Sequence, residues 1–198
     1  MSKIYCMMGK SSTGKDTLYK RIFENKELQL KTVIPYTTRP IREGETDGVE
    51  YFFCDADKVR ELEAAGKVVE RRDYNTIHGI WTYFTVDDGQ IDLVNYDYLI
   101  IGTLESYHKI RDYYGKEYVI PIYIEVEDGE RLQRALNREK EQKSPKYEER
   151  CRRFLADAKD FSEENLTLAE INKRFVNYNL DETEMEIVTY IRGIKENG

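Results

Sequence analysis

A chain of 198 residues with 40% hydrophobic residues and a net charge of −7 can bury one domain core and lacks the basic footprint of a nucleic-acid binder. Its three cysteines, Cys6, Cys54 and Cys151, have no paired spacing, and His78 and His108 are the only histidines, which excludes a disulfide framework and a zinc constellation. No signal peptide opens the chain and no apolar run approaches the ~20 residues that span a bilayer, so a cytoplasmic protein without nucleic-acid or membrane partners is expected.

The first element is the informative one. Lys3-Ile4-Tyr5-Cys6-Met7-Met8 reads as a buried strand broken at Gly9, and helical spacing resumes at Leu18, Ile22 and Phe23. Between them stand Gly9, Lys10, Ser11, Ser12, Thr13, Gly14 and Lys15, a Gly-x-x-x-x-Gly-Lys phosphate loop in its strand–loop–helix setting. Glycines let backbone N–H groups turn inward as an anion nest, and the helix N-terminus adds partial positive charge. Lys15 can reach the outer phosphates of a nucleoside triphosphate such as ATP. Asp16 stands where a Ser or Thr hydroxyl commonly meets Mg²⁺, and Thr17 follows. Either Asp16 binds the metal or Thr17 does.

Further along, a helix is expected over 18–30 and a strand over 31–34, stopped by Pro35. Prolines and glycines between 35 and 48 argue against any regular element there. A strand at 51–53, a helix over 55–65 ended by Gly66, and strands at 67–70 and 81–85 follow. From 98 the rhythm is that of an open α/β sheet with helices on both faces: strand 98–101, helix 104–114, strand 118–126, helix 128–141. Residues 139–147 form a polar flap broken by Pro145. Helix 148–161, strand 174–177 and helix 180–194 complete the chain.

Downstream of the phosphate loop stand Thr37-Thr38-Arg39-Pro40-x-Arg42-x-Gly44-Glu45-x-Asp47-Gly48-x-Glu50-Tyr51-x-Phe53. Alone, the two arginines would only solvate a loop. With the whole pattern, the chain resembles the guanylate kinase family. The resemblance implies a three-layer P-loop kinase fold with a central parallel sheet (1–34 and 86–198), an inserted nucleoside-monophosphate-binding region with a small mixed sheet (35–85), and a lid (138–152). It implies that Arg39, Arg42 and Tyr51 hold the acceptor phosphate, facing Lys15 across the mouth of the site. Guanidinium forks suit a phosphate bidentately, and Glu45 would buttress an arginine. Glu70 matches the base-reading carboxylate, which accepts from guanine N1–H and its exocyclic amine.

The resemblance has gaps. Pro35-Tyr36 replaces a small hydroxyl residue. Thr76-Ile77-His78-Gly79-Ile80-Trp81 replaces Gly-Asn-Tyr-Tyr-Gly, so His78 either substitutes for the phosphate-touching Tyr or is an ordinary surface histidine. Ile101-Gly102-Thr103-Leu104-Glu105-Ser106 lacks the family's Asp-x-Asp-x-x-Gly, leaving Thr103 and Glu105 as polar candidates near the acceptor and the metal carboxylate relocated to Asp16.

Arg131, Arg134 and Arg138 share one helix face, and Arg153 follows the flap. Carried over from the family, Arg134, Arg138 and Arg153 act with Lys15 on the migrating phosphoryl group, Arg131 is structural, and Asn177 approaches the adenine of ATP. The implied activity is transfer of the γ-phosphoryl of ATP to GMP with Mg²⁺, by a monomer or homodimer. The departures leave open the same transfer to another nucleotide or phosphorylated metabolite, and an inactive protein-binding module.

Overall fold

The computed structural model describes residues 1–76 and 79–197. In chain order its elements are β1 Ile4–Met8, α1 Lys15–Glu24, β2 Tyr36–Thr37, β3 Phe52–Phe53, α2 Ala56–Ala64, β4 Val68–Thr76, β5 Gly79–Val86 and β6 Tyr98–Ile101. Then follow α3 Leu104–Tyr114, β7 Val119–Glu125, α4 Asp128–Lys140, α5 Tyr147–Asp160, α6 Glu163–Leu168, β8 Arg174–Val176 and α7 Leu180–Asn197.

The core sheet runs β6-β1-β7-β8, every pair parallel. Strand β1 is buried along its whole length, as a strand covered on both faces must be. Its alternate residues serve opposite layers. Ile4, Cys6 and Met8 pack with Leu104 and Tyr107 of α3 and Leu166 of α6, while Tyr5 and Met7 pack with Leu18 of α1 and Ile187 and Ile191 of α7. The result is three layers, helix on sheet on helix. No helix among the described residues is long and apolar enough to cross a membrane.

A second sheet, β3-β2-β5-β4, is mixed: β2 and β3 pair parallel, the other contacts antiparallel. Val59 and Leu62 of α2 cover one face by packing on Phe84 and Val86. The other face is set by period two. Glu70 lies opposite Thr85, Arg72 opposite Tyr83 and Tyr74 opposite Trp81, so these six side chains share one side of the β4–β5 ribbon. A register shift between Val68 and Glu70 sets where that alternation begins.

Several local expectations are corrected. Helix α1 starts at Lys15, directly after left-handed Gly14, and ends at Glu24. The stretch 31–34 makes only a bridge from Lys31 to Tyr98, because Ile34 is hydrogen-bonded through both backbone groups to the Gln90 side chain. Strand β2 forms where none was expected. Pro35 stays outside the ladder, contributing only its carbonyl to Phe52 N–H, and Tyr36 packs on Phe52 and Phe84. The short α6, capped by Ser162, was not anticipated.

Candidate active site

The phosphate loop is braced from beneath. A Cβ on Gly9 would come within 2.6 Å of the Ile124 carbonyl oxygen, so the loop lies against β7 at a distance only glycine permits. Gly14 has φ +83°, and a Cβ there would meet Asn177 Nδ2 at 2.6 Å. That Nδ2 donates to the Thr13 carbonyl at 2.8 Å, and the Thr13 hydroxyl donates to the Lys10 carbonyl. Asn177 thus braces the loop from beneath, and its own carbonyl accepts from Arg134.

On the outer flank Arg131, 1% exposed, donates to the Ser11 carbonyl and to Asp128 and lies 3.5 Å from Asp157. The Asp157 carboxylate accepts from Ser11 N–H at 2.6 Å. Lys10 turns outward to Asp128. Burial pushes the Asp128 carboxyl up, but Arg131 and Lys10 outweigh it and hold it below the usual carboxylate range. This network fixes the loop's shape and leaves residues 12–17 to face a ligand.

They face one. A cavity of about 250 Å³ is lined by Ser12 through Thr17 together with Arg134 and Arg138. Arg138 donates to Ser12 Oγ at 2.9 Å, and Arg134 is steadied by Glu130. Lys15 Nζ lies 3.1 Å from Asp16 Oδ1. Among the described residues no group of three or more His, Cys, Asp or Glu side chains could hold a metal by itself. An exposed Asp16 carboxylate and the Thr17 hydroxyl at the cradle nevertheless suit Mg²⁺, which takes one or two protein oxygens beside phosphate oxygens and water.

A second cavity, of about 940 Å³, opens on the same two residues, Lys15 and Asp16. Its walls include the shared face of β4–β5, with Glu70, Arg72, Tyr74, Trp81, Tyr83 and Thr85, and also Tyr51, Thr103 and Arg153. The tyrosines among these account for part of the sixteen in the chain. Glu70 and Arg72 form a bidentate pair, Nε to Oε2 at 2.9 Å and Nη2 to Oε1 at 3.2 Å, and the Thr85 hydroxyl donates to Oε1 at 3.0 Å. The Glu70 side chain is 1% exposed and that of Arg72 18%. Burial works against the Arg72 charge, but Glu70 overcomes it and the guanidinium is held protonated.

The arginines expected across the mouth are placed otherwise. Neither Arg39 nor Arg42 is among the described residues lining the larger cavity. Arg39, 3% exposed, is forked on Glu45 at 3.0 and 2.8 Å, donates to the Pro40 carbonyl, and sits over the Tyr51 and Phe53 rings. The Glu45 hydrogen bonds raise its pKa and hold Glu45 below the usual carboxylate range. Glu45 also accepts from Arg42 N–H, so the carboxylate organises the loop, while the exposed Arg42 guanidinium forms no hydrogen bond among the described residues. Thr103 lines the cavity, but its hydroxyl caps α3 in a reciprocal box with Ser106. Glu105 pairs with Lys109. Arg153 lies 3.7 Å from Glu149. His78 lies outside the described residues.

Sequence reasoning missed Arg72 and Asp157. Arg72 had a signal, two residues from Glu70 in a strand. Asp157, 146 positions from Ser11, had none.

A three-layer α/β core with a phosphate-loop sequence at the end of its central β1 stands beside a mixed sheet that walls a second chamber on the same lysine. The guanylate kinase family model matches residues 1–86. The chain is 41% identical over 66 residues to guanylate kinase of Streptococcus pneumoniae and 38% over 68 residues to that of Enterococcus faecalis. Those stretches are 33% and 34% of this chain, and the chain spans about a third of the length of these curated relatives, 32% and 33%. The crystal structure of guanylate kinase from Anaplasma phagocytophilum superposes with a TM-score of 0.66 at 18% identity, over 97% of this chain and 85% of that one, a likeness of fold. Over residues 1–86 the chain is similar to guanylate kinases.

Proposed function

We propose that the protein transfers the γ-phosphoryl group of ATP to a nucleoside monophosphate, GMP in the family's pattern. The observation that carries this reading is that Lys15 and Asp16 line both cavities, so two phosphate tails entering from opposite sides meet at one ammonium. In this reading the donor triphosphate lies in the cradle of Ser12 to Thr17 under Arg134 and Arg138, and the acceptor fills the larger cavity of the region 35–85. Residues 138–152 move as the lid, with Arg153 at its base.

An acceptor phosphate oxygen is already anionic, so no general base is required. It attacks the γ-phosphorus, the bond to the β,γ-bridging oxygen breaks, and that oxygen leaves on ADP. Lys15, Arg138 and Arg153 neutralise charge that spreads over the transferring group, and positioning two polyanions in line supplies much of the remaining acceleration. Tyr51, which lines the larger cavity, contacts the acceptor phosphate, and Arg39 and Arg42, which do not line it, act through the loop that Glu45 organises. Mg²⁺, held by Asp16 or Thr17, supplies charge neutralisation across the donor phosphates when bound.

A coupled assay of ADP release over a panel of monophosphates tests this. Turnover that depends on a monophosphate is expected. ATP consumption that no monophosphate stimulates would discard the kinase reading in favour of a binding module.

A further inference from the structure

The larger cavity contains a feature that the sequence motifs did not reveal, the Arg72 fork on Glu70. An ionised carboxylate offers about four lone-pair sites. Here Arg72 takes two and Thr85 a third, and the side chain is 1% exposed. About one acceptor site is left. Guanine needs two if a carboxylate is to read both its N1–H and its 2-amino group.

What the cavity meets instead is guanidinium. A guanidinium carries five N–H bonds, of which two go to Glu70, and the Tyr74 hydroxyl lies against the same group. The remaining donors belong to a side chain that is 18% exposed and lines the cavity. A donor next to a single free acceptor complements a ring carbonyl next to a ring N–H. That is the 6-oxo, N1–H edge of a purine, and it is the same whether or not an amine sits at C2.

We propose that Arg72 determines acceptor specificity: by occupying Glu70 it removes the partner of a 2-amino group, so that the site accepts 6-oxopurine nucleoside monophosphates with or without that amine. The inference rests on the larger cavity being the acceptor site. Its test therefore carries a binding readout independent of turnover. Trp81 lines the cavity and is the sole tryptophan, so its fluorescence reports occupancy.

GMP and IMP are titrated against the full chain by Trp81 fluorescence and compared in the ADP-release assay, in the wild type and in Arg72→Gln. The Gln retains a neutral donor for Glu70 but frees at least one lone pair. In the wild type the two nucleotides are expected within about tenfold of each other in Kd and kcat/KM, since an amine without a dedicated acceptor contributes little discrimination. In Arg72→Gln the GMP preference is expected to widen by about tenfold or more. A wild-type preference for GMP wider than tenfold, no binding of either nucleotide, or an unchanged ratio in a folded Arg72→Gln overturns the proposal. If Arg72→Gln fails to fold, the wild-type ratio decides. Equal binding of both nucleotides without turnover sustains it while removing the kinase reading.

Discussion

The side-chain amide of Asn177 donates to the Thr13 carbonyl at 2.8 Å and occupies the space that a side chain on Gly14 would need. The last strand and the phosphate loop are thereby locked together, with a glycine as the point of contact. Gly14→Ala meets two obstacles. Its left-handed backbone disfavours an L-residue by about 1–2 kcal/mol, and its Cβ collides with Nδ2. Urea unfolding should show a loss of at least that size, with nucleotide affinity lost as well. Gly14→Ala combined with Asn177→Ala should recover only the collision part.

Lys15→Ala tests the shared corner of the two cavities. Removing one preorganised cationic donor from the transferring group should lower kcat by about 10²–10³-fold. The unfolding midpoint should barely move, because among the described residues the only ion pair lost is that to exposed Asp16. Arg138→Ala should behave alike in steady-state kinetics.

Arg131→Ala should do the reverse. Its guanidinium is buried among Asp128, Asp157 and the Ser11 carbonyl, and truncation leaves the partly buried Asp157 without its cation. A loss of about 3 kcal/mol is expected, the lower end of the range for a broken buried pair because Asp128 remains half-exposed. Chemical denaturation measures it, and any residual enzyme should keep its kcat.

Glu139 gives the pH dependence. It accepts from Lys146 N–H at 2.5 Å and from Arg150, tying the end of α4 to the start of α5, and these hold its carboxyl below the usual range. A folded pKa below the unfolded one means the contribution is complete above about pH 4.3 and disappears as pH falls through the folded value. Thermal unfolding of wild type and Glu139→Gln should differ at pH 7 and converge as the pH is lowered past that point.

Much of this architecture was legible because the parallel strands are buried on both faces. Ile4–Met8 and Tyr98–Ile101 are unbroken apolar runs, and α3 runs over its expected span because Thr103 and Gly115 mark its ends. Two-residue β2 and six-residue α6 carry too little periodicity to register. The phosphate loop and its arginine helix were legible from local spacing. Partner choice was legible only in part: Glu45 was expected to buttress an arginine and is forked on Arg39, but the pattern match does not reveal that Arg39 lies off the lining of the larger cavity. Nor does it reveal that Glu70 is held by Arg72. Ion pairs and anionic ligands draw on the same guanidinium fork, and local sequence spacing does not show which carboxylate reaches it.

The corner where Lys15 and Asp16 serve both chambers has a pharmacological corollary. Two nucleosides joined end to end through one polyphosphate would enter both chambers under a single loss of translational freedom, the second end arriving at the high effective concentration a short tether imposes. Such a dumbbell should bind far more tightly than either half, and the chain length giving the best affinity would serve as a molecular ruler of the gap the phosphoryl group crosses.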